Sequence, residues 1–232
     1  MGPLVAVRFA EGYHSAQATE LHFLRQREAS LEILIDEATL AKRVAELGEE
    51  LSRDYLGRTP ILVGILKGSA IFLSDLIRKI SIDCEIDFIS ISSYGNRTKS
   101  SGSVQLLKDL DRDIYDRDVI VVEDIVDSGN SLSYIKKSLL ARGPHSFSIV
   151  ALLDKKERRE TPVYVDYIGF EIEDRFVVGY GLDYAERYRG LPHIAVLDDE
   201  DLADDVTDVG TPPSEDVTFP GEFGEGAGSR ES

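Results

Sequence analysis

The most informative part of this chain is Val119-Ile120-Val121-Val122-Glu123-Asp124-Ile125-Val126-Asp127-Ser128-Gly129-Asn130-Ser131. Four β-branched residues lead directly into two adjacent carboxylates. A third carboxylate, two hydroxyls and a glycine follow within a few residues. Beyond them, Leu132, Ile135 and Leu139 recur at helical spacing. The pattern predicts a buried strand, a tight loop and the N-terminus of a helix.

The loop between this strand and this helix has the chemistry of a phosphate site. Its amides and hydroxyls lie at the positive end of a helix dipole, where anions bind well. Glu123 and Asp124 are placed to hold a sugar diol, directly or through Mg²⁺. Asp127 is placed to take or give a proton. An ordinary Rossmann-like turn is the alternative, but two adjacent acids at the end of an apolar strand are rarely structural.

Composition bounds the class of protein. The 232 residues, 42% of them hydrophobic, suit one domain with appendages. The longest apolar runs, such as Ile61 to Leu66, are far shorter than a membrane span, and the N-terminus shows no apolar signal region. The single cysteine, Cys84, excludes an intrachain disulfide framework. We therefore expect a cytoplasmic protein that has no membrane partner.

The net charge of −17 is spread unevenly. Residues 198–232 hold twelve acidic residues and one basic residue, together with three prolines and five glycines. Low hydrophobicity with high charge cannot offset the entropy lost on ordering, so this acidic tail is predicted to be disordered. Because nucleic acid binding depends on basic residues, the acidic balance argues against a nucleic-acid partner.

Strand and helix patterns alternate through the middle of the chain, which predicts an α/β fold with a central, mainly parallel sheet and helices on both faces. A helix capped by Asp36 is expected to end at Gly57, and a second helix follows Ser69. In such sheets ligands bind at the carboxyl ends of the strands. The predicted strands are Ile61–Leu66, Cys84–Ser93, Val104–Leu107, Val119–Val122, Ser146–Leu153, Val165–Phe170, Phe176–Tyr180 and Ile194–Leu197.

Other polar segments follow these strands, and each has an ordinary structural interpretation as well. Lys67 and Gly68 form either a pyrophosphate loop or a simple strand-to-helix turn. The segment beginning at Ser93 and Tyr94 is either a lid or a loose hairpin. Lys155 resembles a solvated charge at a strand end.

The segment from Phe176 to Tyr184 is more specific. An aromatic ring followed by small apolar residues forms a flat slot for a heterocycle, although Phe176 alone would be assigned to core packing. Asp183 then lies across the slot and is available to a metal. Arg189 follows six residues later and is available to an anion.

Together these segments resemble the hypoxanthine–guanine phosphoribosyltransferases, members of the type I phosphoribosyltransferase family. The resemblance runs from about Ile61 to Leu197. Its last motif separates the enzymes that act on 6-oxopurines from the rest of the superfamily. Five motifs match in order and spacing: Leu66-Lys67-Gly68, Ser93-Tyr94-Gly95, Val122 to Gly129, Leu153-Asp154-Lys155, and Gly169 to Ile172 continuing at Phe176 to Tyr184.

The resemblance implies a role for each matching residue. Asp127 would be the acid/base at purine N7. Lys155 would contact the 6-oxo group, Phe176 would stack on the base, and Val177 would meet the base edge through its main chain. Mg²⁺ would be held by Glu123, Asp124 and Asp183. Phosphoribosyl pyrophosphate (PRPP) would be bound by Lys67, Gly68, Ser93, Tyr94, Glu123, Asp124, Ser128, Gly129, Asn130, Ser131 and Arg189.

The implied activity is transfer of 5-phosphoribose from PRPP to N9 of hypoxanthine or guanine, in purine salvage, by a type I fold with a small hood. The family also implies a homodimer or homotetramer. Two alternatives stay open: a transferase that prefers xanthine, and a non-catalytic regulator that binds PRPP. The domain is predicted to span residues 31–197, between an N-terminal extension at 1–30 and the tail at 198–232.

Overall fold

The computed structural model describes residues 31–94 and 103–198, except for the side chains of residues 93, 94, 103 and 104. The loop that was expected to be a lid, the N-terminal extension and the tail therefore lie outside the described residues. The described part contains nine strands, three α-helices and a short 3-10 helix at Lys156–Arg158. The strands and α-helices are β1 (Glu32–Ile35), α1 (Glu37–Asp54), β2 (Ile61–Leu66), α2 (Ser69–Ile77), β3 (Glu85–Tyr94), β4 (Ser103–Lys108), β5 (Asp118–Val126), α3 (Asn130–Leu140), β6 (Ser146–Asp154), β7 (Tyr167–Glu171), β8 (Val177–Val178) and β9 (Ile194–Val196).

The central sheet has six strands in the order β4-β3-β2-β5-β6-β7. All neighbouring strands in it are parallel except β3 and β4, which are antiparallel. The prediction of a mainly parallel sheet is confirmed. Because β2 and β5 lie at its centre, their side chains are buried on both faces, as continuous β-branched and leucine-rich runs require.

The helices cover both faces of this sheet. Residues of α1 and α2 pack with Leu62, Ile120 and Val122 in one buried cluster. Residues of α3 pack with Val63 and Val121 in another. Side chains alternate between the two faces of β5 and therefore pack into two separate hydrophobic clusters, one on each face of the sheet. Asp36 caps α1 by accepting a hydrogen bond from Thr39 N at 2.8 Å, as predicted.

A second, three-stranded sheet forms the predicted hood, in the antiparallel order β1-β9-β8. It joins a segment near the N-terminus to one that follows Asp183, as expected. The strand β1 itself was not predicted, since its short run has only one fully buried side chain, Ile35. Its pairing with β9 is what makes it a strand.

The predicted end of the motif strand at Val122 is wrong, because β5 continues to Val126. Its pairing with β2 ends at Val122, opposite Gly64, but its pairing with β6 continues to Asp154. Glu123 and Asp124 therefore lie on a part of β5 that still has β6 beside it but no longer pairs with β2. None of the described helices is long and apolar enough to cross a membrane.

Candidate functional site

The residues singled out in the sequence meet at the carboxyl edge of the central sheet. Lys67 follows β2 directly, Asp127 follows β5, and Lys155 follows β6. Because these strands are adjacent and parallel, their carboxyl ends lie side by side. The backbone of Ser93 and Tyr94 ends β3 at the same edge. The neighbouring hood contributes Val177, on β8.

Glu123 and Asp124 form a buried acidic pair. Burial raises the pKa of Asp124 to about 6, and the nearby carboxylate of Asp183 adds to this effect while Arg189 opposes it. Burial also raises the pKa of Glu123, and Asp124 contributes further. The atom Oε2 of Glu123 is buried without a hydrogen-bond partner among the described residues. A pair with unmet bonding capacity fits a hydroxyl donor or a hard cation.

A glycine loop lies directly against this pair. The Leu66–Lys67 peptide is cis. A Cβ atom on Gly68 would lie 1.6 Å from Asp124 Oδ2, and a Cβ atom on Gly181 would lie 2.1 Å from Gly68 O. Buried Ser69 donates to Ile65 O at 2.7 Å and closes the turn. The loop is therefore held between the acidic pair and the turn at Gly181, and the close approach of Asp124 leaves no room for a side chain at position 68.

We expect Gly68→Ala to abolish most PRPP binding, because the added methyl group must displace either the loop or the carboxylate of Asp124. The measurement is calorimetric titration with PRPP and Mg²⁺, with a melting curve to confirm folding. Gly190→Ala is the matched control, since a Cβ atom there would have no neighbour within 4 Å among the described residues. Equal PRPP affinity for Gly68→Ala and wild type would contradict the close approach.

The predicted phosphate loop runs from Asp127 to Ser131 and leads into α3. Gly129 has a φ of 82°, which a glycine adopts without strain, and as the N-cap residue it has no side chain to bond the helix amides. The Oγ atom of Ser128 accepts a hydrogen bond from Asn130 N at 3.4 Å. The segment after Arg158 holds the loop in place, because the amides of Glu160 and Thr161 both donate hydrogen bonds to Ser128 O at 3.0 Å. The side chain of Asn130 donates to Glu160 and accepts from the Thr161 hydroxyl. The amides at this helix end are therefore oriented for an anion.

Asp127 and Lys155 belong to a chain of alternating charges. Asp127 Oδ1 is buried and lies 3.4 Å from Arg158 Nε, without hydrogen-bond geometry. Arg158 also lies 3.6 Å from Asp174, and Asp174 lies 3.8 Å from Lys155 Nζ. The Lys155 side chain is only 7% exposed. Burial lowers the pKa of Lys155, whereas Asp127 and Asp174 oppose that effect.

Three residues of this region were not predicted from the sequence: Arg158, Arg159 and Asp174. Arg159 donates to Asp127 O at 3.2 Å and pairs with buried Asp154, so it holds the backbone of the loop. The signal that could have found the arginines is the basic run 155–159 directly after a buried strand. Asp174 carries no such signal, since exposed acids are common in this chain.

Phe176 presents a partly exposed ring beside the buried Val177. The ring is 44% exposed, against 6% for Val177. The rings of Phe176 and Tyr184 form a T-shaped pair with a centroid distance of 5.6 Å and an interplanar angle of 87°. The preceding residue, Arg175, donates to Glu32 of β1 at 2.8 Å and fixes the segment to the hood. A partly exposed aromatic side chain held in this way offers a surface on which a planar ring can stack.

Asp183, Glu186 and Arg189 form a polar turn opposite Lys67. Asp183 Oδ1 pairs with Arg189 at 2.8 Å, and Asp183 Oδ2 accepts from Glu186 N at 2.9 Å. No group of three or more His, Cys, Asp or Glu side chains within the described ranges could hold a metal ion by itself.

The parallel sheet with its hood, and the site at its carboxyl edge, define a type I phosphoribosyltransferase fold. The family model for the phosphoribosyl transferase domain matches residues 30–185. The hypoxanthine-guanine phosphoribosyltransferase of Bacillus subtilis is 50% identical over 165 residues, which cover 71% of this chain and 92% of that protein. The hypoxanthine phosphoribosyltransferase of Escherichia coli K12 is 49% identical, with 71% and 94% covered.

A solved structure and a longer relative complete the comparison. The crystal structure of a hypoxanthine phosphoribosyltransferase from Staphylococcus aureus superposes with a TM-score of 0.72 at 46% identity, covering 75% of this chain and 95% of that one. The bifunctional protein TilS/HprT of Listeria monocytogenes is 48% identical over 168 residues, but the chain spans only 26% of its length. The chain belongs to the hypoxanthine–guanine phosphoribosyltransferase family, whose members are pentosyltransferases.

Proposed function

We propose that this protein transfers 5-phosphoribose from PRPP to N9 of hypoxanthine or guanine, forming IMP or GMP and pyrophosphate. This is the purine-salvage reaction of its family. The observation that carries the proposal is the convergence at one sheet edge of the buried pair Glu123 and Asp124, the glycine loop at Gly68, and buried Lys155 beside Asp127.

The substrate would lie along this edge in three parts. The 5′-phosphate would bind the amides and hydroxyls of Ser128 to Ser131 at the start of α3. The ribose hydroxyls would bind Glu123 and Asp124. The pyrophosphate would bind the loop at Lys67 and Gly68 together with Arg189, and Ser93 and Tyr94 would belong to the segment that closes over the reaction.

The purine would bind between the hood and the sheet. Its ring would stack on Phe176, its edge would meet the main chain of Val177, and its 6-oxo group would accept a hydrogen bond from Lys155. Asp127 would take the proton that the purine loses, at N7. Breaking the bond from C1 to the pyrophosphate leaves positive charge on the ribose and negative charge on the leaving group, which Lys67 and Arg189 would stabilise.

The acidic residues fit Mg²⁺ as a cofactor. Glu123, Asp124 and Asp183 would hold it with substrate oxygens, and the bound ion would neutralise charge on the pyrophosphate. The fit rests on the buried, unpartnered Glu123 Oε2 and on the proximity of Asp183 to Asp124. We also propose a cytoplasmic homodimer or homotetramer.

Activity is expected to disappear in excess EDTA and to return when Mg²⁺ is added in excess over the chelator. The physical reason is that two buried carboxylates and the pyrophosphate repel one another unless a cation neutralises them. Turnover of hypoxanthine, guanine and xanthine should be measured with and without chelator. Full turnover in EDTA would contradict the metal assignment, and a preference for xanthine or no turnover at all would favour one of the two alternatives.

A further inference from the structure

Glu186 joins the two cations that are proposed to bind pyrophosphate. Both of its carboxylate oxygens accept hydrogen bonds from Lys67 Nζ, each at 3.1 Å. The atom Oε2 also accepts from Arg189 Nη2 at 3.3 Å. The hydrogen bonds from Lys67, followed by those from Arg189, lower the pKa of Glu186. A single anion thus bridges two loops that are far apart in the sequence.

The turn that carries Glu186 has a strained backbone. Ala185, Glu186 and Tyr188 have φ values of 50°, 64° and 71°, which residues with a side chain rarely adopt. Strain of this kind persists where the surrounding structure imposes it, often at binding sites. Here Glu186 N donates to Asp183, and Arg189 Nη1 donates to Gly181 O at 2.8 Å. The turn is therefore fixed with its carboxylate towards Lys67.

A simple stabilising ion pair would explain these contacts poorly. The side chains of Lys67 and Glu186 are 69% and 65% exposed, and pairs exposed to this degree contribute little to stability. A strained turn is a costly way to form such a pair. By contrast, a carboxylate that accepts from a lysine and an arginine reproduces the contacts that a phosphate oxygen would make with the same two cations.

We infer that Glu186 is a specificity-determining residue that competes with the pyrophosphoryl group for Lys67 and Arg189. This inference rests on the proposed function and deepens it. A ligand that carries a pyrophosphoryl group must displace the carboxylate, so PRPP and pyrophosphate both bind more weakly than two unpaired cations would allow. A nucleoside 5′-monophosphate, which binds at α3 and at the purine platform, does not pay this cost. Glu186 therefore favours release of pyrophosphate.

The experiment is calorimetric titration of wild-type protein and Glu186→Gln with inorganic pyrophosphate in the presence of Mg²⁺, and separately with IMP. Glutamine keeps the shape but not the charge. Because exposed ion pairs are weak, we expect pyrophosphate affinity to rise about three- to tenfold, while IMP affinity stays within about twofold of wild type. The KM for PRPP should fall by a similar factor. Glu49→Gln, which removes the same charge from an exposed position on α1, should leave all three constants unchanged.

Two results would overturn the inference. If Glu186→Gln binds pyrophosphate as wild type does, or more weakly, while IMP binding is intact, then Glu186 only holds the two loops together. Failure of wild-type protein to bind either IMP or pyrophosphate would instead reject the proposed function, and the inference with it. Glu186→Asp provides a second variant should the glutamine variant fold poorly. Its shorter side chain cannot reach both cations, so a smaller gain in pyrophosphate affinity is expected.

Discussion

Asp127→Asn is expected to lower the rate constant of the chemical step by about 10²–10⁴-fold, the usual contribution of a positioned general base. Asparagine preserves the shape at the end of β5 but cannot take a proton. The proposed base is held in place on two sides, since its Oδ1 is buried 3.4 Å from Arg158 Nε and its main-chain oxygen accepts a hydrogen bond from Arg159. PRPP affinity should change little, because the phosphate loop amides do not depend on this carboxylate.

The measurement is a single-turnover experiment with PRPP and hypoxanthine, with PRPP affinity determined in parallel. Asp83→Asn is a suitable control, because it changes an exposed aspartate just before β3, at the amino edge of the sheet. A chemical step as fast as that of wild type would show that Asp127 is not the proton acceptor. A loss confined to PRPP affinity would assign it to binding instead.

Lys155→Ala is expected to lower kcat/KM for hypoxanthine and guanine by about 10- to 150-fold, the range for a hydrogen bond to a charged group. At a site built around a hydrogen bond, the preference for one base over another can reach about 10⁴-fold in kcat/KM. We expect Lys155→Ala to have a smaller ratio of kcat/KM for hypoxanthine or guanine to kcat/KM for adenine than wild-type protein has. Lysine is a donor only, so a 6-oxo group accepts from it and a 6-amino group does not. Since Lys155 is almost fully buried, adenine would leave its ammonium without a partner.

The base preference should be measured as kcat/KM for hypoxanthine, guanine and adenine with wild type, Lys155→Ala and Lys156→Ala. Lys156 is the matched control, because it is the adjacent lysine but is 60% exposed and pairs with Glu171. We expect Lys156→Ala to keep the full preference. If Lys155→Ala keeps it too, the base is selected by the main chain near Val177 instead.

Some features could be predicted because they depend on local order in the chain. The buried strand β2 has the predicted bounds, Ile61–Leu66, because a continuous apolar run of this length between polar turns is too short for a typical helix and favours a buried strand. Asp36 caps α1 because a capping side chain bonds to an amide three residues away. The strand, loop and helix around the adjacent acids and the glycine could likewise be predicted, because these three elements follow one another directly in the sequence.

Other features escaped prediction because they depend on residues distant in the sequence. The segment β1 is a strand because it pairs with β9. A pattern of four residues does not indicate which distant segment they will pair with. The extension of β5 through Glu123 and Asp124 depends on β6, because β5 continues to pair with β6 beyond the point where its pairing with β2 ends. An acid usually ends a strand, but these two are held in place by a neighbouring strand.

The sequence was enough to predict the α/β class, the strands and helices with strong periodicity, and most of the polar residues at the carboxyl edge. These follow from hydrophobic periodicity and turn chemistry, which act over a few residues. Three sets of contacts arise only when the chain is folded: Gly68 lies against Asp124, Arg158 and Asp174 connect Asp127 to Lys155, and Glu186 bridges Lys67 and Arg189. Charged side chains on exposed turns have no periodicity, so their partners are fixed only when the sheet brings separate loops to one edge.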